Sequence, residues 1–183
     1  MALFYLLSSP FLCYINIVFY FITLQIITHF LRNDIQFLCS IIMKHLTTSE
    51  KETFDFAKKF AQEILHGGDI VGLIGDLGAG KTIFSKGIGA GLGVAQNITS
   101  PTFVVMKIYD ISNPSSDIKH LCHIDAYRLK KGQDLVAIGV LEYFDRTDTI
   151  TVIEWANYVK DILPKRTKFV KIKSEDNKRL INY

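Results

Sequence analysis

The sequence predicts one α/β domain, and a strand, a glycine-rich loop and a helix in direct succession carry that prediction. The apolar stretch Asp69–Ile74 has the length and composition of a buried strand. Residues 75–82 (GDLGAGKT) fit the pattern G-x-x-x-x-G-K-[ST] at every fixed position, and the helix-like stretch Ile83–Ala90 follows. Glycines let several backbone N–H groups face one anion, and the helix N-terminus adds partial positive charge. The unit therefore predicts a phosphate-binding loop.

The stretches on either side of this unit add further helices and strands. A capping box at Ser49–Glu52 begins a helix with apolar residues at helical spacing, and Gly67–Gly68 should end it. The helix after the loop should end near Gly91–Gly93. Phe103–Tyr109 and His120–Asp125 predict two strands of an antiparallel hairpin. The remaining predicted elements are one or two short helices over Asp134–Phe144, a strand Thr149–Glu154, a helix Ala156–Leu163, a strand Thr167–Lys173 and a final strand within Asp176–Tyr183.

Composition divides the chain near Met43. The 183 residues carry a formal net charge of +3, which is too small to argue for nucleic-acid binding by itself. Residues 1–42 hold only two charged side chains, Arg32 and Asp34, so residues 43–183 carry the whole excess. The three cysteines have no metal or redox spacing, which predicts free thiols in a reducing compartment. We expect residues 43–183 to form the working domain, in the cytoplasm.

Residues 1–42 allow three interpretations. Phe11–Leu31 is almost wholly apolar and long enough to span a bilayer, which takes about 20 residues, and Arg32 and Lys44 after it favour a cytoplasmic C-terminal side. A signal peptide is a weaker interpretation, because no Lys or Arg precedes the run and no clear cleavage site follows it. The third interpretation, which we favour, is that translation starts at Met43, since polar residues interrupt the apolar run. A membrane association is then not expected.

A triphosphate at the loop defines the side chains that we expect around it. Lys81 should contact the β- and γ-phosphates, and the hydroxyl of Thr82 should hold Mg²⁺. Magnesium at nucleotide sites also takes a carboxylate, directly or through water. Asp125 and Glu154 each end a predicted strand, so both are candidate ligands.

Three further features leave alternatives open. The hydroxyls of residues 99, 100 and 102 either sense the γ-phosphate or belong to an ordinary turn. His123 is either a catalytic base or a strand histidine that packs beside a carboxylate, and we favour the second. Trp155 either stacks on a base or closes the core, and we slightly favour the core.

Four separate stretches together resemble the bacterial TsaE (YjeE) family. They are the loop at residues 75–82, TSPTF at 99–103, HIDAYRL at 123–129 and IEW at 153–155. The loop alone is generic, whereas the combination is specific, and the resemblance covers roughly Leu46 to the C-terminus. The family consists of small P-loop ATPases that are needed to make threonylcarbamoyladenosine in tRNA. Ile83 departs from the family pattern, which usually has a second Thr there.

The resemblance implies a three-layer P-loop NTPase-like fold, in which helices flank both faces of a mostly parallel central sheet. The residues that it implies for ATP binding are Gly75, Asp76, Leu77, Gly78, Ala79, Gly80, Lys81, Thr82, Ile83 and Arg179. For Mg²⁺ it implies Thr82, Glu154 and Asp125. For catalysis it implies Lys81, Thr82, Asp125, Glu154 and Thr102, the last in a switch-like segment. It also implies a weak ATPase that works with the TsaB–TsaD pair. TsaD transfers the threonylcarbamoyl group, so this chain would meet tRNA only through the complex.

Two other function classes stay open at this point. A P-loop kinase for small molecules normally adds an arginine-rich lid, and Arg128 and Arg146 are the only arginines between the loop and Pro164. A membrane-anchored nucleotide switch would require residues 1–42.

Overall fold

The computed structural model describes residues 43–113, 116–176 and 178–183, and the predictions for residues 1–42 lie outside this part of the chain. Within the described residues, all strands belong to one sheet and the helices connect them. The strands are β1 Lys44–Thr47, β2 Ile70–Ile74, β3 Met106–Asp110, β4 His120–Asp125, β5 Thr149–Glu154, β6 Lys168–Glu175 and β7 Lys178–Asn182. The helices are α1 Glu50–Ile64, α2 Lys81–Leu92, α3 Gln133–Val136 and α4 Leu141–Phe144, and two 3₁₀ turns cover Ala156–Tyr158 and Lys160–Ile162. No helix in these ranges is both long and apolar enough to cross a lipid bilayer.

The seven strands form one mixed sheet in the order β1-β7-β6-β2-β5-β4-β3. The four central strands β6, β2, β5 and β4 run parallel, and the pairs at both edges are antiparallel. Every residue of β5 is buried, as expected for a central parallel strand that is covered on both faces. The predicted mostly parallel sheet and the β3–β4 hairpin are therefore confirmed.

The two faces of the sheet are covered by helical layers of different thickness. The long helices α1 and α2 pack against each other and cover one face, where Phe60, Phe84 and Ile88 share a core with Val71 of β2. The short helices and 3₁₀ turns cover the other face, where Leu135 and Phe144 belong to a second core. The chain thus has the predicted three-layer α/β architecture.

The side-chain alternation along β5 decides which residues face α2. Ile150 and Val152 belong to the core under the long helices, whereas Ile153 belongs to the core on the opposite face. Glu154 is two residues beyond Val152 and therefore points to the same face as Val152. The last residue of the strand is in this way directed toward the first turn of α2.

Three local predictions were wrong or only partly right. The hairpin strand begins at Met106 and not at Phe103, because the N–H groups of Val104 and Val105 bond to the Pro101 carbonyl and close a turn. Residues 156–163 form two 3₁₀ turns in place of an α-helix, since Val159 leaves the helical region at φ −126°. The capping box forms only in part. Ser49 accepts from the Glu52 N–H, but the Glu52 carboxylate bonds to Thr48.

Candidate nucleotide site

The loop between β2 and α2 has the backbone that its glycines predict. Gly78 and Gly80 adopt φ of +79° and +104°, values that side chains other than glycine rarely allow. A Cβ atom on Gly80 would also lie 3.0 Å from Nε of Arg179. Helix α2 begins at Lys81 directly after this loop, so its free N–H groups lie at the loop.

Lys81 is folded against the loop and is 5% exposed. Its Nζ donates to the carbonyls of Gly75 and Asp76 at 2.8 and 2.7 Å and lies 3.6 Å from the ring centroid of Trp155. Burial lowers the pKa of the ammonium group, and the charges of Glu154, Asp125 and Asp76 oppose that shift. The ammonium group is therefore held at the loop by weak acceptors that a phosphate oxygen can replace.

Glu154, at the end of β5, forms hydrogen bonds that connect helix α2 to the sheet. Its Oε2 accepts from the Thr82 hydroxyl at 2.8 Å, and its Oε1 accepts from the Ser85 hydroxyl at 3.0 Å. Nε2 of His123 lies 2.8 Å from the same Oε1. His123 is fully buried and Glu154 is 2% exposed. The favoured interpretation of His123, a strand histidine beside a carboxylate, is therefore confirmed.

Asp125 holds the segment that precedes β3. Its Oδ2 accepts from the hydroxyls of Ser100 and Thr102 at 2.7 and 2.6 Å, and its Oδ1 accepts from the Tyr127 N–H at 2.9 Å. Asp125 and Glu154 are paired at the ends of the parallel strands β4 and β5. Both carboxylates thus lie at the carboxyl edge of the sheet, where open α/β sheets bind ligands.

These groups surround a cleft of about 360 Å³, which lies within the usual range for ligand pockets. Nine of its lining residues were predicted site residues, namely Leu77, Gly78, Gly80, Lys81, Thr82, Ile83, Thr102, Asp125 and Glu154. The other lining residues are Glu50, Ser100, Tyr127 and Trp155.

The other predicted site residues do not line the cleft. The backbone carbonyls of Gly75 and Asp76 bind Lys81, and Ala79 is buried in the loop. Arg179 borders the space where a Cβ atom on Gly80 would lie, and its guanidinium is 3.7 Å from the Glu50 carboxylate. Its Nε is buried and has no hydrogen-bond partner within the described residues. The sheet therefore brings this arginine from the distant C-terminal strand to the loop.

The oxygen ligands available at the cleft suit magnesium. The Thr82 hydroxyl and the Glu154 carboxylate lie side by side, and Mg²⁺ at nucleotide sites uses one or two carboxylates together with phosphate oxygens and water. Residues 43–113, 116–176 and 178–183 contain no group of three or more His, Cys, Asp or Glu side chains that could hold a metal by itself. The Thr82–Glu154 pair fits a cation that would take its remaining ligands from a nucleotide and water.

Comparison with known proteins identifies the family. The family model described as "Threonylcarbamoyl adenosine biosynthesis protein TsaE" matches residues 47–181. The chain belongs to the TsaE family. This result confirms the resemblance that the four motifs indicated.

Individual TsaE proteins match over most of their lengths. The tRNA threonylcarbamoyladenosine biosynthesis protein TsaE of Haemophilus influenzae is 38% identical over 130 residues, which cover 69% of this chain and 78% of that protein. The protein of the same name from Bacillus subtilis is 36% identical, with 77% and 84% covered. The crystal structure of YdiB from Bacillus subtilis has a TM-score of 0.59 and 34% identity, covering 76% of this chain and 82% of that one.

Two contacts within this TsaE chain were not predicted from the sequence. Ser85 contacts Glu154 because it lies three residues after Thr82, on the same side of α2. That spacing could have identified it. Trp155 packs against the second core, which is the interpretation that we favoured, and Nζ of Lys81 lies over its ring. Stacking of Trp155 on a base stays a prediction.

Proposed function

We propose that this chain binds Mg·ATP and hydrolyses it as a component of the machinery that makes N6-threonylcarbamoyladenosine in tRNA. In this proposal it cycles the TsaB–TsaD complex and does not transfer the threonylcarbamoyl group itself. The observation that carries the proposal is the convergence of Lys81, the Thr82–Glu154 pair and the glycine loop on one cleft. Membership of the TsaE family supports the tRNA-modification role.

The chemistry follows from the positions of the side chains. Lys81 would exchange its two loop carbonyls for phosphate oxygens, and the N–H groups at the start of α2 would bind the same phosphates. The Thr82 hydroxyl and Glu154 would hold the magnesium, which neutralises charge on the phosphates when bound. Water would attack the γ-phosphorus as the bond to the β-phosphate oxygen breaks, so that ADP and inorganic phosphate leave and one proton passes to the solvent. Asp125 keeps Thr102 at the edge of the cleft where this occurs.

An exposed apolar rim beside the cleft supports the partner-dependent part of the proposal. The apolar rim consists of Leu77, Phe103, Val104 and Tyr127, which are 79%, 84%, 65% and 46% exposed. Leu77 and Tyr127 line the cleft, and Phe103 and Val104 follow Thr102 directly. Exposed apolar patches of this kind mark protein–protein contacts. A TsaB–TsaD surface on this rim would cover the nucleotide and couple its turnover to binding of the complex.

Calorimetry tests the nucleotide part of the proposal. Lys81→Ala should reduce the affinity for Mg·ATP by at least about 100-fold, because the charged contact with the β- and γ-phosphates is lost. Lys86→Ala is the matched control, since this lysine lies on the same helix and does not line the cleft. Wild-type protein that gives no heat with Mg·ATP or Mg·ADP would refute the proposal.

Co-purification tests the partner part. Phe103→Ser should reduce recovery of the chain with TsaB and TsaD and leave Mg·ATP affinity within about twofold, because Phe103 is exposed and does not line the cleft. Leu141→Ser is the matched control, because Leu141 is also an exposed apolar residue, at 45%, but does not belong to the apolar rim. If both variants bind TsaB–TsaD as the wild type does, the apolar rim is not the contact surface.

A further inference from the structure

The Glu154 carboxylate uses its two oxygens unequally. An ionised carboxylate has about four acceptor sites and no donor. Oε1 faces two donors, the Ser85 hydroxyl at 3.0 Å and Nε2 of His123 at 2.8 Å, whereas Thr82 is the one donor to Oε2 among the described residues. Oε1 therefore has a donor within reach of each of its two acceptor sites, and Oε2 keeps one acceptor site beside the Thr82 hydroxyl.

His123 is the donor that has no alternative. The single Ser85 proton can go to Glu154 or to the Lys81 carbonyl, which is 3.1 Å away. Within the part of the chain that the structure describes, Nε2 of His123 has the Glu154 carboxylate as its one partner, and Nδ1 is buried without a partner. A proton on Nδ1 would leave a buried N–H unpaired, which is more costly than an unpaired lone pair at a nitrogen. The arrangement therefore requires the tautomer with its proton on Nε2.

We propose that His123 is a positioning residue for the magnesium ligand Glu154. Its Nε2–H fixes Oε1 at the floor of the cleft, so that Oε2 stays beside the Thr82 hydroxyl and has an acceptor site left for the metal. This inference rests on the proposed function, because it assigns a role within the Mg·ATP site. It also excludes His123 as the base that activates water, since Nε2 already donates its proton and Nδ1 is buried.

Affinity for ATP with Mg²⁺ and with EDTA, measured by calorimetry on the full chain, separates metal binding from phosphate binding. His123→Leu should reduce the gain in affinity from Mg²⁺ by about 10- to 100-fold, the usual effect of losing a hydrogen bond to a metal ligand. Its affinity in EDTA should stay within about twofold of the wild type, because Lys81 and the loop are unchanged.

Three comparisons make this test specific. His123→Gln should restore most of the gain, because the glutamine amide can reach the position of Nε2, whereas His123→Asn should not. His120→Leu is the matched control, because His120 lies on the same strand and its Nδ1 is 3.0 Å from the Asp110 carboxylate. It does not line the cleft. The ¹⁵N spectrum of metal-free wild-type protein should show His123 protonated at Nε2 only.

The outcomes distinguish this inference from the proposed function. A wild type without Mg·ATP binding refutes the proposed function, and the ¹⁵N spectrum then still tests the tautomer. A full magnesium gain in a folded His123→Leu variant overturns the positioning role alone. If His123→Leu does not fold, equal gains in the Gln and Asn variants overturn it. A ¹⁵N spectrum with the proton on Nδ1 does so in every case.

Discussion

Replacing Glu154 by glutamine or by alanine should separate its structural role from its role at the cleft. Alanine removes the acceptor of three donors at once. Ser85 can turn to the Lys81 carbonyl at 3.1 Å, and Thr82 lines the cleft, where water can replace the lost partner. His123 is fully buried, and residues 43–113, 116–176 and 178–183 offer its Nε2 no other acceptor. Most of the destabilisation of the Glu154→Ala variant should therefore come from the buried Nε2–H group of His123, which loses its acceptor.

The magnitude follows from that count. A buried donor without a partner costs about 1–3 kcal/mol, and loss of the buried side-chain atoms adds to this, which gives roughly 2–4 kcal/mol for Glu154→Ala. At roughly 4 °C per kcal/mol, we expect the melting temperature to fall by about 8–16 °C. Glutamine keeps an oxygen for Ser85 and His123, and its amide can donate to the Thr82 hydroxyl. The free energy of unfolding of Glu154→Gln should therefore lie within about 1 kcal/mol of the wild-type value.

The two variants should nevertheless fail alike at the cleft. An amide N–H₂ beside Thr82 cannot bind a cation, so both should lose magnesium-dependent phosphate release while ATP binding in EDTA persists. Thermal unfolding in EDTA without nucleotide measures the first property, and phosphate release measures the second. The reasoning is refuted if both variants melt equally, or if Glu154→Gln hydrolyses ATP at the wild-type rate.

Two further predictions concern the fold away from the cleft. The Arg146 guanidinium donates hydrogen bonds to the Asp148 carboxylate and holds the pKa of that group well below its ordinary value of 3.8. The ionised Asp148 therefore stabilises the fold above pH 3.8. This stabilisation is lost as the pH falls through the lower pKa of the folded state. The difference in unfolding free energy between wild type and Asp148→Asn, from urea titrations, should therefore shrink below about pH 4, and a difference that grows with acid contradicts this. Burial raises the pKa of the Cys122 thiol to about 12, so this thiol should react slowly in the folded protein. Peptide mapping after alkylation at about pH 8 should find Cys122 unmodified in folded protein and modified in urea. Rapid labelling of the native chain would contradict the packing of β4.

Much of the fold could be predicted because its signals are local. The glycine loop, the strand before it and the helix after it are one continuous stretch, and the αL glycine at position 93 ends that helix where expected. The β-branched run Thr149–Glu154 reads as a buried strand from its own composition. The edge strand β1 was not predicted, since its four residues are mostly exposed and too few to establish a pattern.

The sequence indicated which residues belong to the candidate site but not which hydrogen bonds they form with each other. Lys81 and Thr82 follow from the loop pattern, and Asp125 and Glu154 follow from their places at strand ends. That Thr82 bonds to Glu154 and that Asp125 bonds to Thr102 depends on strand order, because the partners are 72 and 23 residues apart. The distance between residues along the chain does not determine which strands of the central sheet become neighbours.

The sequence by itself determined that a glycine-rich loop with the pattern G-x-x-x-x-G-K-[ST] joins a strand to a helix, which strands end in carboxylates and which family the chain belongs to. The tertiary structure decided that Glu154 faces α2, that Nε2 of His123 contacts Oε1 of Glu154 and that Nζ of Lys81 lies over the ring of Trp155. The physical reason is the sheet. The parallel pairing of β5 with β2 and β4 sets the register, and the register determines which distant side chains share the carboxyl edge.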